Sequence, residues 1–153
     1  MEKARGKKEF RPTSSLVKQA VFNILGDIRG SLFLDLYAGS GQMGLMAEER
    51  GAQVIFVEKN PKLAKEIKRK ARGDVIISDV LRFLMGFDRE ADVIFADPPY
   101  DYENYEKLIQ LSLKVLKKGG IFVLEHRKNM DFGAERKKVY GDTALSLWRK
   151  EDD

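Results

Sequence analysis

Cysteine is absent from the 153 residues, and histidine occurs once, at His126. Disulfides and thiolate metal sites are excluded by the first absence, and a histidine-rich metal centre by the second, so no metal is expected. Proline is scarce, at four residues. No apolar run reaches the roughly 18 residues that cross a bilayer, and the opening MEKARGKKEF has none of the hydrophobic middle of a secretory signal. A cytoplasmic chain with no membrane partner is expected. Its length and 43% hydrophobic content allow one ordinary core and no second. The expected organisation is a basic arm at 1–13 and a single domain at 14–153.

Charge is more telling in its distribution than in its total of 28 Lys and Arg against 24 Asp and Glu. Lys3, Arg5, Lys7, Lys8 and Arg11 crowd the start of the chain against Glu2 and Glu9. Such an arm suits a polyanionic partner, but a plain solvated terminus has the same composition, and charge alone leaves both open. The cations of KLAKEIKRKAR (62–72) recur around a helix and read as an outer face.

Hydrophobic period sets the architecture. SSLVKQAVFNIL (14–25) starts with cap-type serines, carries apolar residues at helical spacing and closes on Gly26, so a leading helix is predicted. Strands are predicted at 31–37, 52–58, 74–78, 91–96 and 121–126. Helices are predicted between them: from the AGSGQMG segment to about Arg50, from Pro61, over 79–86 and over about 103–116. Gly119-Gly120 reads as a break. RKKVY and TALSLW, around Gly141-Asp142, read as a hairpin. Strands that are continuous apolar runs alternating with helices indicate an α/β fold with a mostly parallel sheet covered on both faces, to which the C-terminal hairpin adds an antiparallel edge.

In such sheets ligands bind outside the carboxyl ends of the strands. Those ends carry Asp35 with Tyr37, Ala38, Gly39, Ser40 and Gly41; Glu58 and Lys59; Asp79 and Val80; and Asp97, Pro98, Pro99 and Tyr100. GSGQMG fits a G-x-G-x-x-G loop, which is a weak signal by itself. Asp35, four residues before Gly39, would repel a pyrophosphate and attract a cation. The amino group and sulfonium of S-adenosylmethionine supply one. Glu58 is placed for ribose hydroxyls and Asp79 for an adenine amino group, although Asp35 and Asp79 can also merely cap the turns that follow them.

DPPY (97–100) is the sharper signal. Methylating an exocyclic amine requires two acceptors for its N–H bonds, so that the nitrogen lone pair points at the donor. Asp97 and the Pro98 carbonyl can serve, with Pro99 fixing the direction of that carbonyl. Tyr100 offers a face for a base flipped out of its stack.

DPPY is the signature shared by methyltransferases acting on adenine N6, cytosine N4 and guanine N2. RPTSSLVKQAVFNIL followed by FLDLYAGSGQMGLMAEERGAQVIFVEKN resembles the RsmD family of bacterial small-subunit ribosomal RNA guanine-N2 methyltransferases, over roughly residues 10–125. The resemblance implies a seven-stranded class I, Rossmann-like methyltransferase fold, S-adenosylmethionine as donor, and N2-methylation of one guanine in 16S rRNA. It gives Asp35, Gly39, Gly41, Glu58 and Asp79 cofactor roles, Asp97 to Tyr100 the target amine, and Arg11, Pro12 and Thr13 a place near the target base. Ten residues precede Arg11 where family members carry a longer basic hairpin, which suggests reliance on an assembled ribosomal particle; the chain is expected to be a monomer.

DPPY alone does not separate guanine from adenine, so a DNA adenine-N6 methyltransferase is an alternative, as is a non-catalytic RNA-binding module on the same fold. His126 and Trp148 read as structural, and Met43, Met46 and Met85 as core fillers. Tyr102 and Tyr105 either line a base-binding mouth or cover the next helix.

Overall fold

The structure, a computed structural model, describes residues 14–99 and 101–151. Helix α1 (Ser15–Leu25) starts where the Ser14 hydroxyl accepts the Val17 N–H at 3.2 Å and stops at Gly26. Then follow β1 (Leu32–Leu36), α2 (Gln42–Glu49), β2 (Gln53–Val57), α3 (Pro61–Lys70) and β3 (Asp74–Ile76). The chain continues through α4 (Val80–Gly86), β4 (Ala91–Ala96), α5 (Tyr105–Val115), β5 (Leu116–Arg127), β6 (Arg136–Tyr140) and β7 (Thr143–Arg149).

The strands form one sheet in the order β3-β2-β1-β4-β5-β7-β6. β1 to β5 pair in parallel, and β7 lies antiparallel between β5 and β6, so the expected terminal hairpin is present. Successive strand residues point to opposite faces. Phe33, Phe56, Phe95 and Val123 pack with α1, α2 and α3 residues such as Val21, Ala47 and Ile67. Leu34, Val57, Ile94 and Phe122 pack on the other face with Leu84 of α4 and Leu108 of α5. Because both faces are covered, β1 is buried at all five positions and reads as an unbroken apolar run around Asp35. Full burial of each such Leu, Ile or Phe is worth about 1.5–3 kcal/mol against leaving it in water.

The order of strands reverses between β1 and β4. The units from β1 to β3 build outward on one side with α2 and α3 on one face, while β4 and β5 lie on the other side with α4 and α5 opposite. A crevice opens at such a switch point, above the carboxyl ends of β1 and β4.

Some elements differ from the sequence reading. β3 stops at Ile76, and Ile77 beyond it is half exposed. Gly119-Gly120 is no break: β5 begins directly after α5 and runs through both glycines, with a register shift opposite Ala91 and Val93. A Cβ on Gly120 would lie 2.8 Å from the carbonyl oxygens of Asp92 and Lys117, so only glycine permits that approach. Met85 is 62% exposed and fills no core, whereas Met43 and Met46 do pack inside.

Candidate functional site

β1 brings Asp35 to the face shared with α2, 1% exposed, where its Oδ2 accepts the Gly44 N–H at 2.9 Å. That contact has a local cause. α2 begins behind Gly41, which has no side chain with which to cap it, and Asp35 satisfies one of the helix's unpaired N–H groups from the strand below. Burial pushes the Asp35 carboxyl up to about 8, against the pull of the Gly44 N–H and with help from the Glu58 charge. Gly44 is where helix and strand touch: a Cβ there would lie 2.3 Å from the Phe56 ring. Before it the chain reverses through Tyr37, Gly39 and Gly41, all at positive φ. Tyr37, at φ 59°, is the one non-glycine residue of that kind among the described residues, at a cost of about 1 kcal/mol or more.

Glu58 leaves β2 and turns back over the glycine loop. Its Oε1 accepts the Gly39 N–H at 2.7 Å and its Oε2 the Asn60 N–H at 3.0 Å. Asn60 in turn caps α3 by accepting from Lys62 and Leu63. Asp79 caps α4, its Oδ2 accepting the Arg82 N–H at 3.0 Å. The capping role considered for Asp35 and Asp79 is therefore real for both, and both also line the cavity described below.

β4 supplies the opposite wall. Leu36 of β1 pairs with Ala96 of β4, so the residues that follow, Tyr37 and Asp97, leave neighbouring strands at the same level, where adjacent strands lie about 4.8 Å apart. Asp97 is partly exposed and Pro98 is buried. The Pro99 carbonyl accepts the Tyr102 N–H at 3.0 Å, which closes a turn.

Between these walls lies a cavity of about 500 Å³. Asp35, the 37–40 loop, Glu58 and Lys59 line one side, Asp79 and Val80 another, and Asp97 and Pro99 a third. Gly41 and Pro98 are not among its lining residues, while Arg11, Pro12, Thr13 and Tyr100 lie outside the described residues. The sequence does not single out Gln42, Val57, Asn60, Leu63, Phe95 and Asp101, which also line the cavity, nor Met43, read only as a core filler, and it leaves Tyr102 open. Asn60 had a signal, as the residue before Pro61 and a natural helix cap; Leu63 and Asp101 had none.

A row of rings runs from this cavity into the protein. The Tyr37 hydroxyl donates to the Tyr102 hydroxyl at 2.6 Å, with the rings edge to face. Tyr102 meets Tyr105, Tyr105 meets Phe132, and Phe132 meets His126. Tyr105 is 8% exposed, which makes it wall packing rather than a mouth, and burial, with the Asp97 charge next, pushes its hydroxyl up to about 12. Burial holds Tyr37 and Tyr102 above their ordinary value too. His126 lies between the Arg127 carbonyl, to which Nδ1 donates at 2.7 Å, and the Ser146 hydroxyl, 2.6 Å from Nε2, and burial lowers its pKa. That is a structural histidine, and the partly buried Trp148 stacks on Phe122 at the margin of the core. Among the described residues no group of three or more His, Asp or Glu side chains gathers as metal ligands would, and no helix is long and apolar enough to cross a membrane.

The model of the family described as "Conserved hypothetical protein 95" matches residues 3–149. "Putative rRNA methyltransferase YlbH" of Bacillus subtilis is 32% identical over 92% of this chain and 88% of its own. "Ribosomal RNA small subunit methyltransferase D" of Escherichia coli is 28% identical over 93% of this chain and 80% of its own. The solved structure of the Thermus thermophilus 16S rRNA N2 G1207 methyltransferase RsmC, in complex with AdoMet and guanosine, superposes with a TM-score of 0.79 at 21% identity, covering 92% of this chain and 44% of that one. This last likeness shows the fold, which is that of the class I methyltransferases. With nearly its whole length matched, the chain belongs to the conserved hypothetical protein 95 family, that of the ribosomal RNA small subunit methyltransferases D.

Proposed function

We propose that this protein is an S-adenosylmethionine-dependent methyltransferase acting on the exocyclic N2 amine of a guanine in small-subunit ribosomal RNA. One observation carries the reading: the acidic glycine loop that follows β1, and Asp97 and Pro99 that follow its neighbour β4, line one cavity at the switch point. Family membership supports RNA as the substrate, since relatives are named for that activity.

The chain's residues suit the donor. A carboxylate has about four acceptor directions, and the Glu58 oxygens use one each on backbone N–H groups, leaving directions for a pair of ribose hydroxyls. Asp35, buried beside Glu58, suits a positively charged amino or sulfonium group. Val80 and Leu63 offer apolar surface for an adenine ring, and Asp79 an acceptor for its amino group. S-adenosylmethionine, when bound, supplies an electrophilic methyl group. On the acceptor side, Asp97 and the Pro98 carbonyl accept hydrogen bonds from the two amine N–H groups, which turns the nitrogen lone pair out of conjugation. The prolines hold these acceptors still, so the catalytic contribution is alignment. Tyr100 stacks the target base, and Arg11, Pro12 and Thr13 contact the RNA around it.

The test supplies labelled donor with naked rRNA, small ribosomal subunits and duplex DNA, and identifies the modified nucleoside by mass spectrometry. N2-methylguanosine in the ribosomal RNA is the expected product. N6-methyladenosine, or label in DNA, overturns the assignment; a chain that binds no donor in calorimetry is not an enzyme of this kind.

A further inference from the structure

The loop after β1 and the turn after β4 form the donor and acceptor halves of the site, and a hydroxyl pair joins them. Tyr37 donates to Tyr102 at 2.6 Å between residues 65 apart in sequence, and both line the cavity. Tyr102 is also bonded through its backbone N–H to the Pro99 carbonyl at 3.0 Å. One residue is thus tied by its main chain to the Asp97-Pro98-Pro99 segment and by its side chain to the glycine loop.

Both partners are braced. The Tyr102 ring stands edge-on to Tyr37, with centroids 5.4 Å apart, and to Tyr105, at 5.2 Å. Tyr105 is buried against Phe132 behind it. Tyr37 keeps its left-handed backbone, at φ 59°, in a position where glycine would be unstrained. Such a conformation persists only where surrounding contacts over-determine it. The contact to Tyr102 is one of these, so the strain in the glycine loop and the placement of the acceptor turn are coupled through two oxygens.

We propose that the Tyr37–Tyr102 hydroxyl pair is a latch that sets the separation between the donor loop and the acceptor turn, which makes both tyrosines positioning residues for methyl transfer. For what the site does, this rests on the function proposed above. The consequence for rate is large because alignment is the chemistry: an error of about 1 Å in the approach of the reacting atoms costs on the order of 100-fold. Strands β1 and β4 fix the roots of the two segments, and the latch fixes their tips.

Three variants test it: Tyr37→Phe, Tyr102→Phe and the double variant, each losing only hydroxyl oxygens from packed rings. In the free protein, amide hydrogen exchange at Tyr102 is expected to quicken about fivefold in Tyr37→Phe, a substitution 65 residues away. With donor and small ribosomal subunits, each single variant is expected to lose about tenfold in kcat, with KM for the particle and donor Kd little changed, and the double variant to lose no more than either single. Unchanged exchange at Tyr102, unchanged kcat, or losses that multiply in the double variant each overturn the latch. The last result would mean that the two hydroxyls act separately on a ligand. If the wild-type protein transfers no methyl group, the functional reading falls, and the exchange rate at Tyr102 alone decides whether the two halves are joined.

Discussion

Asp97 and Glu58 are both carboxylates at strand tips, but they do different work. Asp97 faces the cavity from the acceptor side, beyond β4. Its replacement by alanine is expected to lower single-turnover methyl transfer by at least about 100-fold, the scale of a lost alignment, while calorimetry finds donor Kd within a factor of about two. Wild-type turnover in Asp97→Ala would remove it from the reaction. Glu58 already holds the Gly39 and Asn60 N–H groups, one on each oxygen. Glutamine there must turn an NH2 group toward one of those donors. Glu58→Gln is therefore expected to weaken donor binding by about 1–3 kcal/mol and also to lower the melting temperature with no donor present. A change in Kd with no change in melting would confine Glu58 to ligand contact, leaving the loop indifferent to it.

At the scale of elements, the third glycine of the loop is a packing residue. Gly44 lies in the first turn of α2, and a methyl group there would sit 2.3 Å from the Phe56 ring, deep in the core. Gly44→Ala is expected to destabilise the protein by about 1–3 kcal/mol through overpacking, read as a lower denaturant midpoint, even though alanine is the better helix former. A stabilised variant would show that Phe56 can move aside. The same pair shows why much of the fold was legible and part was not. Continuous apolar runs such as Leu32–Leu36 and residues 54–57 announce themselves because both faces of the sheet are covered. β5 hid its first residues because Lys117 and Lys118 are exposed and two glycines follow, a composition that reads as a turn until the close approach to Asp92 is known. Of the site, Glu58 and DPPY were visible because each follows directly where an apolar run stops, and Asp35 because it is the one charged residue inside such a run. The pairing of Tyr37 with Tyr102 was not, since it depends on β1 and β4 being neighbours, and strand order leaves no mark in local sequence.

For the molecule as a whole, the buried Asp35 and the buried His126 make stability depend on pH in opposite senses. Asp35 is raised from 3.8 to about 8, mainly by burial. Below about pH 4 the carboxyl is protonated whether the chain is folded or not. From about pH 4 to about pH 8 only the unfolded chain releases the proton, so each rise in pH across that window favours unfolding, by up to about 1.4 kcal/mol per unit. Above about 8 the dependence is flat. His126, lowered from 6.5 by burial, acts the other way: as pH falls through that value the unfolded chain takes up a proton before the folded one does, so its contribution is lost as the medium turns acidic. The wild-type profile mixes the two, and a substitution separates them. Asp35→Asn keeps an oxygen for the Gly44 N–H and removes the ionisation, so its stability relative to wild type is expected to climb steadily from about pH 5 to about pH 8, measured as the difference in denaturant unfolding free energy. A difference that stays constant over that range would mean that Asp35 ionises as easily inside the protein as in water, and its burial under α2 would then impose no charge cost for a cationic ligand to relieve.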